Sequence, residues 1–543
     1  MKMYWLILVL CFAAAVIKAQ PANQTRLFLK KLDAANEHIG YGNYHLALPI
    51  LRELWDIDSA SREVSWMTGL CLFNIKREAP ESIEYFIKAS VRFPEAYYYI
   101  GRLRHNESLF DKAMEAYNEY KNTASDPVVY HPDIDIQIEK SYTAKKMMRN
   151  PLPISVTVLN DDINTAYPDY APLLNPDGNI LYFTSRRKGS TGNLADPNNE
   201  FFEDIYSTRL NNGKWSKPEN ISTPLNTTTH DAAVTISKDG NTLYIFRTSS
   251  NLVGGDIWYS EYNNNQWQEP KLLDANINTS GGAETSISIS PDGTTIFFSS
   301  NRPGGYGGKD IYRVTKMPDG KWSRAMNLGP VINTPFNEDG PFIHPDGHSF
   351  YFSSEGHDNM GGFDIFKSTM QDNGSFTAPV NVGYPINSVR DDIFYFVEHN
   401  GKKAYFSSNR FGGKGLMDIY QTDIADDEQK NLILLKGTVN TNEPEFMTLK
   451  ATITIIDFIT KDLQGIYKTN QNGKYLIVLV PHKKYKVITE AGGYYSHIDD
   501  IDLTEKLQIE DLFKTINLKK EIITPKEMPL DSLREGSENI LPH

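Results

Sequence analysis

The 543-residue chain carries a formal charge of -13, with 40% hydrophobic and 12% aromatic residues. Its length is that of about three domains. The apolar content excludes wholesale disorder, and the acidic balance excludes a general nucleic-acid binder, which needs a basic face.

At the N-terminus, Lys2 precedes the apolar run YWLILVLCFAAAVI, followed by Lys-Ala-Gln. This is the layout of a secretory signal peptide, so residues 1–19 are expected to be removed after Ala19. A membrane span needs about 20 apolar residues, and the run from Met3 to Ile17 is shorter. The alternative processing is lipidation at Cys11, but Leu10 is large where such a signal carries a small residue. With cleavage after Ala19, Cys71 is the one cysteine of the mature chain, and no internal disulfide forms.

Residues 22–150 read as helices, with apolar residues at 3- and 4-residue spacings in YHLALPILRELW and LFDKAMEAYNEY. Small residues recur at Ala47, Ser82 and Ala113, spaced 35 and 31 apart. This resembles a tetratricopeptide array, whose repeat is about 34 residues. The resemblance implies a solenoid with a concave groove, to which Ser65, Thr68, Tyr98 and Arg102 are candidates.

Residues 151–425 hold a fivefold repeat. Turn glycines stand at Gly178, Gly240, Gly293, Gly347 and Gly401, spaced 62, 53, 54 and 54 apart. Each is followed by a DIY-like motif at Asp204, Asp256, Asp310, Asp364 or Asp418, and by an INT-like step at Asn226, Asn278, Asn333 and Asn387, with Asn164 ahead of the first unit. Asp-Gly between alternating apolar residues predicts hairpins. Four short strands per unit of roughly fifty residues predict a propeller blade. The fifth unit lacks its fourth strand, which the segment 154–160 is expected to supply. The repeats resemble TolB-type, WD-like propellers.

Residues 432–522 are strand-rich, with Gly437, NGKYLIVL and YKVITEAGGY in an order that resembles a carboxypeptidase regulatory-like domain. Residues 523–543 are polar and read as a flexible tail. The expected fold class is therefore multidomain: an α-helical tetratricopeptide solenoid, a five-bladed β-propeller and a small transthyretin- or Ig-like β-sandwich.

The sequence offers little chemistry. It has no G-x-S-x-G elbow and no H-E-x-x-H. His344 and His348 straddle a turn instead of sharing a helix face. No catalytic residue, metal ligand or cofactor is expected. Asp204, Asp256, Asp310, Asp364 and Asp418 recur in every unit, whereas glycosidases need two carboxyls in different environments. They are read as structural, accepting N–H bonds from the loop before each. The repeat is broken in unit one, where the glycine-to-aspartate span is 26 instead of 16 or 17. That insertion brings Arg186, Arg187, Lys188, Phe201 and Phe202, residue types that anchor interfaces, and these are the candidate partner-binding residues.

The whole order is similar to exported multidomain envelope proteins of Bacteroidetes, including PorE of type IX secretion. The resemblance implies a periplasmic, outer-membrane-associated scaffold whose partners are outer-membrane or secretion-machinery proteins. Those relatives end in an OmpA-like domain with no counterpart here, so no direct peptidoglycan-binding domain is expected. The expectation is a non-enzymatic adaptor. The alternative is a propeller that binds or cleaves glycans, which predicts unlike carboxylates in a central pocket.

Overall fold

The computed structural model describes residues 22–521, apart from 76–77, 124–132, 196–199, 251, 253, 281, 372, 399–400, 425–431, 442–448 and 506–511. The expected signal peptide, Cys11 and the tail lie outside the described residues.

Seven α-helices open the described chain: α1 (Ala22–Gly40), α2 (Tyr44–Ile57), α3 (Arg62–Ile75), α4 (Ile83–Ala89), α5 (Ala96–Asn106), α6 (Phe110–Thr123) and α7 (Ile134–Arg149). The 3- and 4-residue apolar spacing buries one face of each. Ala47, Leu51 and Leu54 of α2 pack with Ala35, Val64 and Cys71. Gly101 lets α5 approach α6, because a Cβ there would overlap the Tyr117 ring.

The expected fold class, led by a tetratricopeptide solenoid, is corrected. The chain is mostly β-sheet: after Arg149 the described residues hold strands and one 3-10 turn. The helices are also uneven. α4 spans 7 residues, behind the 3-10 turn Pro80–Ser82, whereas α1 spans 19. The residues expected in a groove are already engaged. Ser65 and Thr68 are buried, Tyr98 donates to Asp133 at 2.9 Å, and Arg102 pairs with Glu78. Small residues at a regular spacing allow close helix packing, but they do not require a solenoid.

Five antiparallel sheets follow. Their innermost strands are Asp169–Leu174, Asp231–Ile236, Glu284–Ile289, Glu338–Ile343 and Asp392–Val397. Each contacts the next, and the last contacts the first, so the sheets form a closed β-propeller ring. The Val156–Val158 strand pairs antiparallel with Asp418–Asp423, in the register Val156↔Thr422 to Val158↔Tyr420, and completes the fifth sheet. Within the blades, cross-strand aromatic pairs stack: Phe183 on Tyr206, Phe298 on Tyr312, Phe352 on Phe366 and Phe406 on Tyr420. Burying each phenylalanine contributes roughly 1.5–3 kcal/mol.

The remaining strands form two sheets. One has the order Lys474–Leu479, Ile433–Thr441, Leu512–Leu518; the other Leu463–Lys468, Thr452–Asp457, Lys484–Glu490, His497–Asp502. They enclose a core that includes Val439, Ile453, Ile455, Ile477 and Tyr485. This sandwich sits on the propeller face formed by the Asp-Gly turns, with Ile466 and Tyr467 facing that rim. The helices sit on the opposite face, against the loops of blades four and five.

Candidate functional site

The DIY aspartates hold the loop that precedes them. Asp310 accepts from the N–H groups of Tyr306 (2.7 Å) and Gly307 (2.9 Å) and from Asn327 Nδ2 (2.5 Å). Asp418 accepts from Lys414 N at 2.6 Å, Asp364 from Met360 N at 2.7 Å, and Asp204 from Thr191 N at 2.5 Å. Asp256 occupies the same strand position, opposite Arg247. The glycines of these loops lie against the neighbouring blade. Gly308 N donates to Phe336 O at 2.9 Å, and a Cβ on Gly307 would overlap that same oxygen.

A second set of carboxylates, not singled out in the sequence, begins each inner strand. Asp169, Asp231, Glu284 and Asp392 are buried and pair with Arg187 (2.6 Å), Arg247 (2.5 Å), Arg302 (3.2 Å) and Arg410 (2.5 Å). The guanidinium groups also donate to backbone oxygens of the preceding turn and lie over aromatic rings of the blade. Blade four breaks this rule. Gly356 stands two residues after Ser354, where Arg302 and Arg410 follow Ser300 and Ser408. His357 reaches the Ile332 oxygen instead, at 2.9 Å. Glu338, left without a cation, accepts from Thr334 N (2.8 Å), Thr334 Oγ1 (2.6 Å) and Ser354 Oγ (2.7 Å). Burial pushes its carboxyl up to about 7.

Of the five insertion residues, only Lys188 is exposed. Arg187 belongs to the inner ring just described. Arg186 donates to Phe201 O at 2.9 Å and pairs with Glu200 at 2.6 Å. Phe201 meets the Tyr167 ring edge-on, and Phe202 is buried 4.4 Å from the His230 ring.

Nearer the ring axis, the residue just before each DIY motif differs from blade to blade: Glu203, Gly255, Lys309, Phe363 and Met417. Glu203 accepts from the Tyr170 hydroxyl and lies 3.2 Å from His230 Nδ1. Burial raises its carboxyl, but the His230 and Tyr170 bonds outweigh that and hold it below its ordinary value. Asp339 is likewise buried, yet Lys309 at 2.8 Å, Ser286 and the Gly340 N–H keep its carboxyl low.

Between the helices and blades four and five lies a cavity of about 430 Å³. Its wall combines Phe73 and Phe336 with Arg102, Asn106, Gln137, Lys140, Glu355, Arg390, Asp391 and Asn409. Glu78 is shared by Arg102, Asn106 and Arg390, the last at 3.2 Å. Burial raises the Glu78 carboxyl, and the two guanidinium groups outweigh it and hold it low. Lys140 donates to Gly361 O at 3.0 Å, and Asn409 donates to Asp391 at 2.7 Å. His105 bridges Ser141 Oγ (2.8 Å) and Met360 O (2.9 Å), and burial pushes its imidazole down to about 4. Among the described residues, no group of three or more His, Cys, Asp or Glu side chains could hold a metal ion.

No protein-family model matches the chain, and no curated protein matches it. Among solved structures it is similar to a glycoside hydrolase, at 9% identity and a TM-score of 0.37, covering 52% of this chain and 95% of the other. It is also similar to an α-L-arabinofuranosidase from Lactobacillus brevis, at 13% identity and TM-score 0.35, covering 50% and 95%. A third is a β-xylosidase/α-arabinofuranosidase from a compost microbial metagenome, solved with xylotriose in a calcium-free form, at 11% identity and TM-score 0.34, covering 51% and 97%. These solved structures are glycoside hydrolases by name, which stands against the expectation of a protein without enzymatic activity; they assign this chain neither an activity nor the lack of one. The propeller itself rests on the strand pairing. At these identities no activity, substrate or catalytic residue is carried across.

Proposed function

We propose that the protein handles carbohydrate, binding a glycan segment in the cavity between the helices and blades four and five. One observation carries this reading. The cavity wall joins aromatic faces to guanidinium, amide and carboxylate groups around about 430 Å³. A sugar ring needs that mixture: hydroxyls that both donate and accept, and C–H faces that pack on aromatic rings. Export to the periplasm, from the leader of the sequence, is part of the proposal.

The test is calorimetry of the mature chain against a panel of neutral and uronic-acid oligosaccharides, with reducing-end release measured in parallel. At least one glycan class is expected to bind, with affinity falling tenfold or more in Asn409→Ala and Phe336→Ala. Release of reducing ends would assign cleavage as well as binding. If no glycan binds, or if binding survives both substitutions, the reading fails and a scaffold for protein partners takes its place.

A further inference from the structure

The opposite face of the ring carries a second break in the repeat. The turns there read Asn175-Pro176-Asp177-Gly178, Ser290-Pro291-Asp292-Gly293 and His344-Pro345-Asp346-Gly347, but blade five has Glu398-His399-Asn400-Gly401 and blade two, alone of the five, puts a lysine there, in Ser237-Lys238-Asp239-Gly240. The proline has a packing role. Pro176 Cδ lies 3.0 Å from where a Cβ on Gly240 of the next turn would stand, and Pro291 Cγ lies 3.6 Å from that position at Gly347. Pro176 and Pro291 thus close the gap to the following turn. After Lys238 the gap stays open: nothing lies within 4 Å of the equivalent position at Gly293.

The opening belongs to a cavity of about 260 Å³ beneath the sandwich. Its walls join the apolar Ile289, Trp322, Phe342 and Phe396, and Tyr467 from the sandwich, to polar groups that include Ser288, Asp239 and Lys316. The Lys238 side chain lines it. Its residue is partly exposed, but its Nζ is withdrawn from solvent and has no hydrogen-bond partner. The nearby Asp292 and Asp346 attract it through space without a hydrogen bond to it. Asp292 accepts from Ser290 and Thr294, and Asp346 from His348 N and Ser349 N. A buried ammonium with three unused donors is costly. A charge-assisted bond to a carboxylate would remove that cost.

We propose that this cavity is a binding site for a small monocarboxylate with an apolar body, its carboxylate held by Lys238 and its body against the aromatic and isoleucine walls. Burial pushes the unliganded Lys238 amine down to about 7, so a bound carboxylate restores a charge that burial suppresses. The site is separate from the polar cavity on the helical face, and its test does not depend on glycan binding.

The experiment uses the mature full chain. Calorimetry with benzoate and hexanoate should show binding, whereas acetate, which lacks the apolar body, should bind at least tenfold more weakly. Lys238→Met should weaken benzoate at least tenfold while leaving benzyl alcohol unchanged. The unsubstituted protein supplies a second readout. Acetylation of Lys238 by acetic anhydride, followed by peptide mass spectrometry, should slow at least fivefold under saturating benzoate, and Lys461 labelling should not change. The proposal is overturned if benzoate leaves Lys238 labelling unaffected, if acetate binds as well as benzoate, or if a folded Lys238→Met variant keeps its benzoate affinity.

Discussion

A buried carboxylate with a guanidinium beside it is stable only as a pair. Removing the cation from Glu284 by Arg302→Met leaves an uncompensated charge, and such losses cost about 3–5 kcal/mol. Denaturant titration of the full chain should register that loss. Blade four lacks the cation and meets the cost differently: Glu338 is about half protonated at neutral pH and largely protonated below pH 6, because its folded carboxyl titrates at about 7 against an ordinary 4.5. Between those values the folded chain binds more protons than the unfolded one. Stability from this site is therefore present at low pH and is lost as pH rises from about 4.5 towards 7. Glu338→Gln cannot ionise, so its stability relative to the parent should rise by roughly 2–3 kcal/mol between pH 5 and pH 8. The fixed effect of replacing an acceptor oxygen by an amide cancels in that difference. A flat difference across the range would mean that Glu338 is ionised throughout.

At the scale of elements, the blades are fastened by side chains that imitate backbone. Asn333 accepts from Ile311 N at 2.8 Å and donates to Ile311 O at 2.9 Å, so it clips onto the DIY strand as an extra strand residue would. Asn226, Asn278 and Asn387 do the same in their own blades. Asn164 performs it across the ring closure, on Ile419, 255 residues away. Asn164→Ala should cost about 1–3 kcal/mol, because it strands the buried Ile419 N–H, while Ile419 O keeps the Leu159 N–H, and limited proteolysis should then cut first near residues 156–164. The glycine straps are equally demanding. Gly307→Ala must push Phe336 O away and should destabilise the fold by more than 2 kcal/mol, whereas Gly320→Ala, with open space around it and φ +82°, should cost about 1 kcal/mol. The DIY, Asp-Gly and INT steps were legible in the sequence because each recurs at a constant offset. The inner arginines were not: Arg187, Arg302 and Arg410 follow the strand-end serine by two, but Arg247 reaches the equivalent turn oxygen from the strand position facing Asp256. Strand register, not spacing, brings them together. Glu203, Lys309 and the polar cavity escaped for a related reason. A search for repeats passes over positions that differ in every blade, and the cavity wall is contributed half by helices far away in sequence.

For the whole molecule, acid and base effects oppose each other. The imidazole of His105, wedged between α7 and the Met360 oxygen, is pushed by burial down to about 4 from an ordinary 6.5. The unfolded chain takes up that proton first, so stability from neutral His105 is full above about 6.5 and is lost as pH falls towards 4. The slope is opposite to that of Glu338 over much of the same window, and the parent protein should be flatter in pH than either single variant. His105→Asn should abolish up to about 3 kcal/mol of the loss on acidification, so its stability relative to the parent should rise by roughly 2–3 kcal/mol between pH 7 and pH 4.5, read from the two denaturation midpoints at each pH. An unchanged acid limb would show that the helix-to-ring junction opens without protonating His105.

The pairing of Val156–Val158 with Asp418–Asp423 also has a mechanical meaning. Because the strands are antiparallel, Val156 lies opposite Thr422, and the chains leading to the helices and to the sandwich leave the ladder from the same end. Tension between those two flanks, once their docking contacts yield, peels the three-residue ladder one rung at a time instead of shearing all of it together. The ring, closed as a cycle by this one pairing, is therefore built to open at a low pulling force, at one seam.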